Sequence, residues 1–576
     1  MLMLSALEIL FTWGVIALAL IGIGSLVLAL YSKENSLFDG FWMGLAVSAA
    51  VLEICNLVLP VTFSITLFLF CVGILGLVLK RSSLRNGLSD LWQGFRWLVL
   101  IGIAVAYLIA LRSCGPCEHY DTGLYGAQEL GWIQTYPAIP GLANLHGRFG
   151  FNSSVFLCIA ALGQGVWREL GFHLFTGFML TAMWATLLPA CGRAVRRMTT
   201  SPADWFYAIL AIPTLFWTTR SRIVGTETDE PATVVCLIAT GILFEHLCQE
   251  DGREQREVHT FRLVLATTLF SLAVAFKLST IVFALLAWCL AFRGIWLLGR
   301  SAHQRTKYFF SALALSTLIL LPWCARGIIL SGYPLYPATV FAFPVDWKTP
   351  LSAARWYALG VQSWGRIPDV PFRDTQGLHW LGNWLNHAIR NRSAFQVPLA
   401  ISLAGLVAGL THRFRRKPLY ECPWLSLLFP SLVGIIFWFA ASPDPRFAQF
   451  AIWTTAATLG AWGIVSLDLD LHRSRTNLVL ALVVLSSIWC LISFGWKESL
   501  ITLRGIQQPP ALPKPALILR HTLSGVAVYV PAEGIRCWDA PLPCTPYFDP
   551  SLRLRDASSF RWGFTSEGRA AEFQNF

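Results

Sequence analysis

Long apolar stretches follow one another along almost the whole chain, interrupted by shorter polar segments. A membrane-spanning helix needs about 20 mainly apolar residues, because the bilayer core has no water to satisfy an open backbone. The first stretch, Phe11 to Tyr31, has no Lys or Arg before it and no small-residue cleavage site after it, so it is predicted to be a crossing and not a signal peptide. Further crossings are predicted to start near Phe41, Val61, Trp97, Gly171, Ala203, Ala232, Phe261, Ser279, Tyr308, Gln396, Trp424, Phe447 and Thr476. The pattern therefore predicts an all-α polytopic membrane protein with about 14 transmembrane helices.

One of these apolar runs, from Phe261 to Ile295, is interrupted by a single cation. Lys277 is followed by Leu278 and Ser279, and a charge in the middle of a crossing is costly. We therefore predict two helices with a hinge at Lys277.

The composition supports a membrane protein, because 55% of the 576 residues are hydrophobic and only 13% are charged. Soluble domains carry about twice that charged fraction. This excludes a soluble enzyme, a disordered scaffold and a nucleic-acid-binding domain.

The net charge of +12 comes largely from short loops that alternate along the chain. Short Lys/Arg-rich loops stay in the cytoplasm, so this face is predicted to be cytoplasmic and both termini external. The positive charge is thus a topology signal, and no nucleic-acid partner is expected. The basic residues of these loops are Lys80, Arg81, Arg85, Arg96, Arg193, Arg196, Arg197, Arg253, Arg256, Arg300, Arg305, Lys307, Arg413, Arg415, Arg416, Lys417, Arg473 and Arg475.

The other face carries the long polar segments, and long loops often carry function. We predict N-terminal transmembrane helices in residues 1–96, a transmembrane core in 97–496 and a small external domain in 497–576. The predicted external loops of the core are residues 112–152, 220–231 and 326–395.

In the C-terminal segment, Val526, Val528 and Val530 alternate with other residues as in a strand. Cys537 and Cys544 could pair there in an oxidising compartment.

Acidic side chains follow the crossing that starts at Trp97. Glu118 and Asp121 are predicted to lie just outside a helix end, where a carboxylate can deprotonate an acceptor or bind a cation. The alternative for Asp121 is a helix cap or an ion pair with Arg148. A short amphipathic helix is predicted in residues 123–136, and an apolar helix in 151–166 that could lie in the membrane interface.

A second acidic group, Glu227, Asp229 and Glu230, follows Arg220 and Arg222 at the start of the next helix. The helix dipole stabilises negative charge there, so capping by Thr228 or Asp229 is the alternative to a functional role.

Cations are predicted near the same face. Arg446 stands in a turn stiffened by two prolines, and a guanidinium there can hold a phosphate with two parallel hydrogen bonds. The alternative is an ion pair with Asp444 that only shapes the turn. Arg326 and Lys277 are further candidates for phosphate contacts, or are interfacial anchors.

The pair Cys114 and Cys117 has the spacing of a redox dithiol but lacks the strand-to-helix context of one. A structural disulfide and two ordinary thiols both stay open. No metal-binding set of His and Cys is evident, no cofactor is predicted with certainty, and a requirement for a divalent cation stays open.

Several strings resemble an uncharacterised bacterial family of large membrane proteins that is itself similar to the GT-C superfamily of glycosyltransferases. They are HYDTGLY (119–125), GLANLHGRFGFNSS (141–154), LSGYPLYP (330–337), SPDPRF (442–447) and CWDAPLPCTPY (537–547). The resemblance covers most of the chain from Trp97 onward. It implies a GT-C-like architecture in the bacterial cytoplasmic (inner) membrane.

The resemblance also implies a function: transfer of a sugar from a polyprenyl-phosphate or polyprenyl-diphosphate donor, on the outer side, to a glycan, lipid or protein acceptor. By position, Asp121 would be the first-loop acid with Glu118 as a second choice, Asp229 or Glu230 the second acidic motif, and Arg446 a phosphate contact. The product would belong to envelope glycan or glycolipid assembly.

Other functions share the same features. A transporter or flippase for a lipid-linked glycan or anionic solute would also need an outward cavity with charges of both signs, and it would place ionisable residues deep in the helices. A polysaccharide polymerase or ligase would use an oligosaccharide donor in the same cavity.

Overall fold

The computed structural model of this chain describes residues 1–31, 36–195, 201–219, 223–248, 256–298, 301–368, 370, 372–413, 422–467 and 506–568. It is mostly helical, with short strands near the C-terminus. The helices are α1 (Leu2–Leu28), α2 (Leu37–Asn56), α3 (Phe63–Leu79), α4 (Arg81–Ser113), α5 (Ala127–Thr135), α6 (Ser154–Leu162), α7 (Phe175–Val195), α8 (Pro202–Thr219), α9 (Asp229–Leu247), α10 (Arg256–Phe276), α11 (Ile281–Leu298), α12 (Ala302–Ser331), α13 (Leu351–Arg366), α14 (Leu381–Arg390), α15 (Val397–Arg413), α16 (Leu428–Ala441) and α17 (Gln449–Ser466).

Within the described ranges, nine helical segments are long and apolar enough to cross a membrane. A tenth is reached if α3 and the start of α4, which are bent by 77° at their junction, form one span. The protein is therefore a multi-pass membrane protein. The nine segments are Leu2–Leu28, Leu37–Asn56, Arg96–Ser113, Gly171–Ala194, Asp229–Leu247, Leu278–Leu297, Ala302–Ser331, Ala394–Thr411 and Pro423–Ala441.

Helices α8, α10 and α17 also lie where crossings were predicted but are not among these nine. The crossing predicted to start near Thr476 falls outside the described residues.

The hinge predicted at Lys277 is confirmed. Helix α10 ends at Phe276, Lys277 has an extended backbone, and a short 3-10 turn, Leu278–Thr280, leads into α11.

Most of the helices pack around one apolar core. Helix α10 packs against α2, α9, α11 and α12, and α1 packs against α2, α3 and α4. Close approach of α1 and α3 depends on glycine, because a Cβ at Gly22 would collide with the backbone of Gly73. Helix α4 packs against α1 and α7 and so connects the first three helices to those that follow.

The short helices of the first long loop lie inside this bundle. Helix α5 confirms the amphipathic helix predicted in that loop and follows a single π-helical turn, Thr122–Gly126. Every residue of α6 except its last is buried, and α6 contacts α2, α3, α5 and α7. This apolar helix is therefore part of the protein core, where its side chains are shielded from water and pack against other helices.

The C-terminal region contains two small antiparallel sheets, and it covers the first long loop. Its strands are β1 (Leu517–His521), β2 (Ala527–Pro531), β3 (Arg553–Leu554) and β4 (Phe564–Thr565), with β1 paired to β2 and β3 to β4. The predicted Cys537–Cys544 disulfide is present. The Trp538 N–H donates to the Gly123 carbonyl at 2.9 Å, and the Phe564 N–H donates to the Pro140 carbonyl at 2.9 Å.

Candidate functional site

Charged side chains from four separate parts of the chain meet at one end of the helix bundle, which we call the loop face. One group lies in the first long loop between α4 and α6, and one lies at and just before the start of α9. The third lies at the hinge between α10 and α11, and the fourth in the turn between α16 and α17. They form the loop-face cluster, whose members are His119, Asp121, Arg148, Glu227, Asp229, Glu230, Lys277, Asp444 and Arg446.

Asp121 is bound to Arg148, as the ion-pair alternative anticipated. An Arg148 Nη1–H donates to Asp121 Oδ1 at 2.7 Å, and the Asp121 side chain stays 28% exposed. Burial alone would raise the pKa of Asp121, but the charges of Arg148, His119 and Arg446 outweigh it and hold that pKa below its ordinary value. Asp121 is therefore a carboxylate at neutral pH, open enough to receive a proton from a bound hydroxyl or amine.

His119 and Glu227 form a second, almost fully buried pair that the sequence did not single out. Their Nε2 and Oε2 atoms are 3.0 Å apart, and His119 Nδ1 lies 3.0 Å from the Thr122 hydroxyl. The Thr226 N–H in turn donates to the Thr122 oxygen at 2.9 Å. This chain of contacts ties the first loop to the start of α9.

The charges of this pair are mutually stabilised. Burial by itself would lower the pKa of His119, yet the Glu227 carboxylate outweighs it and raises that pKa above its usual value. Burial would likewise raise the pKa of Glu227, but His119 and Arg446 hold it well below its usual range. The pair is thus a charged one, and both groups act on Asp121.

Asp229 and Glu230 stand in the first turn of α9, where the helix dipole favours their charges. Thr228 is the N-cap residue but makes no side-chain capping bond, so its predicted capping bond is absent. The Lys277 ammonium donates to Asp229 and lies 4.4 Å from the centre of the Phe447 ring. The hinge cation is therefore held at the loop face by the second acidic group.

Arg446 is held by Asp444 through two guanidinium nitrogens, as the second ion-pair alternative anticipated. Its Nη2 and Nε donate to Asp444 Oδ2 at 2.9 Å and 3.1 Å. Burial would lower the pKa of Arg446, but Asp444 and Asp229 outweigh it and raise that pKa, so the guanidinium stays charged. Its side chain is 22% exposed.

Two of the predicted site residues lie outside the cluster. Glu118 is exposed, three residues before Asp121. Arg326 is fully buried, with its Nε donating to Asn56 Oδ1 at 2.9 Å, Nη1 to Asn152 Oδ1 at 2.8 Å and Nη2 to Glu129 Oε1 at 3.2 Å. We call these four residues the buried network. The guanidinium is occupied within the protein, so a phosphate contact by Arg326 would require these bonds to break.

The structure also bears on the features that stayed open. Arg220 and Arg222 lie outside the described residues. Cys114 and Cys117 are free thiols, and burial raises the pKa of Cys114 to about 12, which suits an inert thiol. Within the described ranges, no group of three or more His, Cys, Asp or Glu side chains is arranged to hold a metal ion.

Aromatic residues add a wall beside Arg148 that sequence reasoning missed. The Tyr125 ring lies 5.4 Å from the Arg148 guanidinium carbon, and the rings of His146 and Tyr547 stack at 5.3 Å with an interplanar angle of 11°. Burial and the charge of Arg148 lower the pKa of His146 to about 3, so this ring stays neutral. The C-terminal region thus reaches the loop-face cluster, a contact between positions too far apart in the chain for a local pattern to indicate.

Comparison with known proteins identifies a family for this chain but indicates no activity. No curated protein sequence matches the chain. A family model described as "Domain of unknown function (DUF8201)" matches residues 4–453, most of the chain. The matched region includes every residue of the loop-face cluster and ends within α17, before the C-terminal strands. The chain therefore belongs to the family described as Domain of unknown function (DUF8201).

Proposed function

We propose that this protein is an integral membrane glycosyltransferase that uses a polyprenyl-phosphate-linked or polyprenyl-diphosphate-linked sugar. The observation that carries the proposal is the loop-face cluster, because a partly exposed carboxylate and a partly exposed guanidinium occupy one charged site at the ends of membrane helices. A lipid-linked donor needs such a place, since its tail stays in the bilayer while its phosphate and sugar lie at the boundary with water.

Arg446 and Lys277 would contact the donor phosphate. Nε and Nη2 of Arg446 donate to Asp444, and the same two-bond geometry fits two phosphate oxygens, so the donor phosphate would take the place of that carboxylate. As the bond between the anomeric carbon and the phosphate oxygen breaks, its electron pair stays on the phosphate. Positive charges fixed nearby stabilise that developing negative charge.

Asp121 would act on the acceptor. A hydroxyl or amine of a glycan, lipid or protein attacks the anomeric carbon, and its proton passes to the Asp121 carboxylate. The lowered pKa of Asp121 keeps it ready to accept that proton at neutral pH. Asp229 and Glu230 would hold Lys277 and orient sugar hydroxyls, while Glu118 takes no part because it is exposed outside the cluster.

The membrane, the architecture and the orientation that we propose rest on the resemblance to GT-C glycosyltransferases and on the charge pattern of the loops. We place the protein in the bacterial cytoplasmic membrane, with about 14 crossings, a GT-C-like architecture and the loop face outside. The alternation of Lys/Arg-rich short loops with long polar segments supports this orientation. The product would enter an envelope glycan or glycolipid, and a polymerase or ligase acting on oligosaccharide donors would use the same site.

Transport of a lipid-linked glycan or anionic solute is the second candidate, and one observation favours it. A cavity of about 240 Å³ lies at the opposite end of the bundle, where Asp39, Glu245, Arg193 and Arg262 line it. Charged sites therefore stand at both ends of α9. The residues of α9 between them, from Pro231 to Phe244, are all buried, which favours chemistry at the loop face over passage along this helix.

The test is a panel of radiolabelled polyprenyl-phosphate and polyprenyl-diphosphate sugars given to the purified full-length protein in nanodiscs, with a bacterial lipid and glycan extract as acceptor source. Binding and sugar release are both measured. Release from at least one donor, lost in Asp121→Asn, would establish the transferase. Tight binding without release would favour transport, and absence of binding to every donor would overturn the proposal.

A further inference from the structure

Helix α14 carries a row of exposed apolar side chains along one side. Leu381, Leu385 and Ile389 are 36%, 49% and 55% exposed, and they recur at every fourth position. Leu378, just before the helix, is 75% exposed and continues the row. If the whole exposed surface of this segment were in contact with water, four large apolar side chains would not be expected next to one another on it.

The other sides of α14 have different surroundings. Trp384 and Ala388 are buried against the protein, in a small core that also contains Trp380, Trp438 and Ala448. The remaining side presents polar and basic residues to the exterior, namely Asn383, Asn386, His387 and Arg390. The helix thus has one protein side, one apolar open side and one polar open side.

The position of α14 relative to the membrane helices indicates what covers its apolar row. The candidate span Ala394–Thr411 begins shortly after α14 ends at Arg390. That span exposes its own apolar side chains, with Leu399 at 57% and Leu403 at 53%. The apolar row therefore continues directly into a surface that faces lipid.

We infer that α14 lies in the plane of the bilayer surface, with Leu381, Leu385 and Ile389 inserted among the acyl chains of one leaflet. An in-plane helix of this kind has an apolar side buried at the boundary of the acyl chains and a polar side with basic residues in the headgroup layer. The inference goes beyond the proposed function, because it identifies a lipid-binding surface whatever the protein does.

The same helix supports the turn that carries Arg446. The Trp384 indole N–H donates to the Pro443 carbonyl at 2.7 Å, and the Trp438 indole N–H donates to the Asp444 carbonyl at 2.6 Å. The two indoles are 6.0 Å apart between ring centroids. Bilayer contact through α14 therefore fixes the height of the Arg446 turn relative to the membrane surface.

The test uses a photoreactive benzophenone amino acid placed at Leu385 or, as the matched control, at Asn383. Both positions are exposed, and because an α-helix turns about 100° per residue, they lie on nearly opposite sides of α14. The full-length protein is irradiated in phosphatidylglycerol nanodiscs, and lipid adducts are identified by mass spectrometry. Positions Leu381 and Ile389 repeat the test if a Leu385 variant does not fold.

The expected result is a lipid adduct at position 385 and no lipid adduct at position 383. Adducts of equal yield at both positions, or at neither, would overturn the inference, and so would a protein–protein adduct at position 385, which would show that another chain covers the row. None of these outcomes depends on a sugar donor, so they are distinct from failure of the proposed function.

Discussion

The loop-face cluster and the buried network contain the same chemical groups, a guanidinium with carboxylates, but present them in opposite ways. The Arg446 side chain is 22% exposed and is held by one carboxylate, whereas the Arg326 side chain is 1% exposed and is bound to three side chains from different elements. The first arrangement leaves room for a ligand and the second joins parts of the protein. A charged group near the membrane boundary can therefore serve as a binding site when it is accessible to a ligand, and it serves as a structural support when it is buried among protein partners.

The largest effect expected at the cluster is on turnover. Asp121→Asn removes the proton acceptor while keeping a similar shape, and loss of such a group lowers rates by about 10²–10⁴-fold. Sugar release by the purified variant measures it, with unchanged thermal stability as the check on folding.

The matched control is Glu118→Gln, which alters an exposed acid three residues away. Full activity is expected there. If the Glu118 variant lost turnover and the Asp121 variant kept it, the two roles would have to be exchanged.

The next largest effect is on stability and concerns the buried network. Arg326→Met leaves the Glu129 carboxylate buried without its cation, and removing one partner of a buried pair costs about 3–5 kcal/mol. Thermal unfolding in detergent measures the loss. The double variant Arg326→Met, Glu129→Gln should recover part of it, because the side chain at position 129 then carries no charge.

The loss of stability in Arg326→Met should depend on pH. Burial raises the pKa of Glu129 to about 7 even with Arg326 beside it, so without Arg326 the carboxyl takes up a proton more readily. The single variant should therefore be less destabilised at low pH than at high pH. A variant as stable as the wild type would show that Arg326 does not support the fold.

The smallest effect expected is the pH dependence of the His119–Glu227 pair. The pKa of His119 is raised, so its contribution to stability is fully present below its unfolded value, about 6.5, and is lost as the pH rises through the folded value. The pKa of Glu227 is lowered, so its contribution is present above about 4.3 and is lost as the pH falls through the folded value.

His119→Gln should flatten the alkaline side of the stability profile, as measured by the unfolding midpoint between about pH 5 and about pH 9. An unchanged profile would mean that the pair carries no charge in the folded protein.

Sequence periodicity was enough to predict a multi-pass helical membrane protein and the Lys277 hinge, because long apolar runs and a lone cation have direct local consequences. The acids at the start of α9 were also identified from local sequence, since the helix dipole favours negative charge at that position. The pairings were not predictable in the same way. Lys277 meets Asp229 across 48 positions and Arg326 meets Glu129 across 197, so only packing of the bundle brings them together.

The prediction for Arg326 shows where such reasoning stops. Its position near the end of a crossing resembles that of Arg446 in the sequence, and no pattern nearby reveals that Asn56 and Asn152 are its partners. The His119–Glu227 pair was missed for the same reason, although a His beside two acids in an external loop was a signal that could have drawn attention.

Binding of a polyprenyl phosphate to the wild type and to Arg446→Ala, followed by native mass spectrometry, tests the central claim most directly. The matched control is Arg168→Ala, which removes an arginine whose side chain is 84% exposed and which lies outside the cluster. Hydrogen bonds to charged groups contribute about 1.5–3 kcal/mol, so Arg446→Ala should weaken binding by at least about tenfold while Arg168→Ala leaves it unchanged. Equal affinity in all three proteins would contradict the assignment of the loop-face cluster as a lipid-phosphate site.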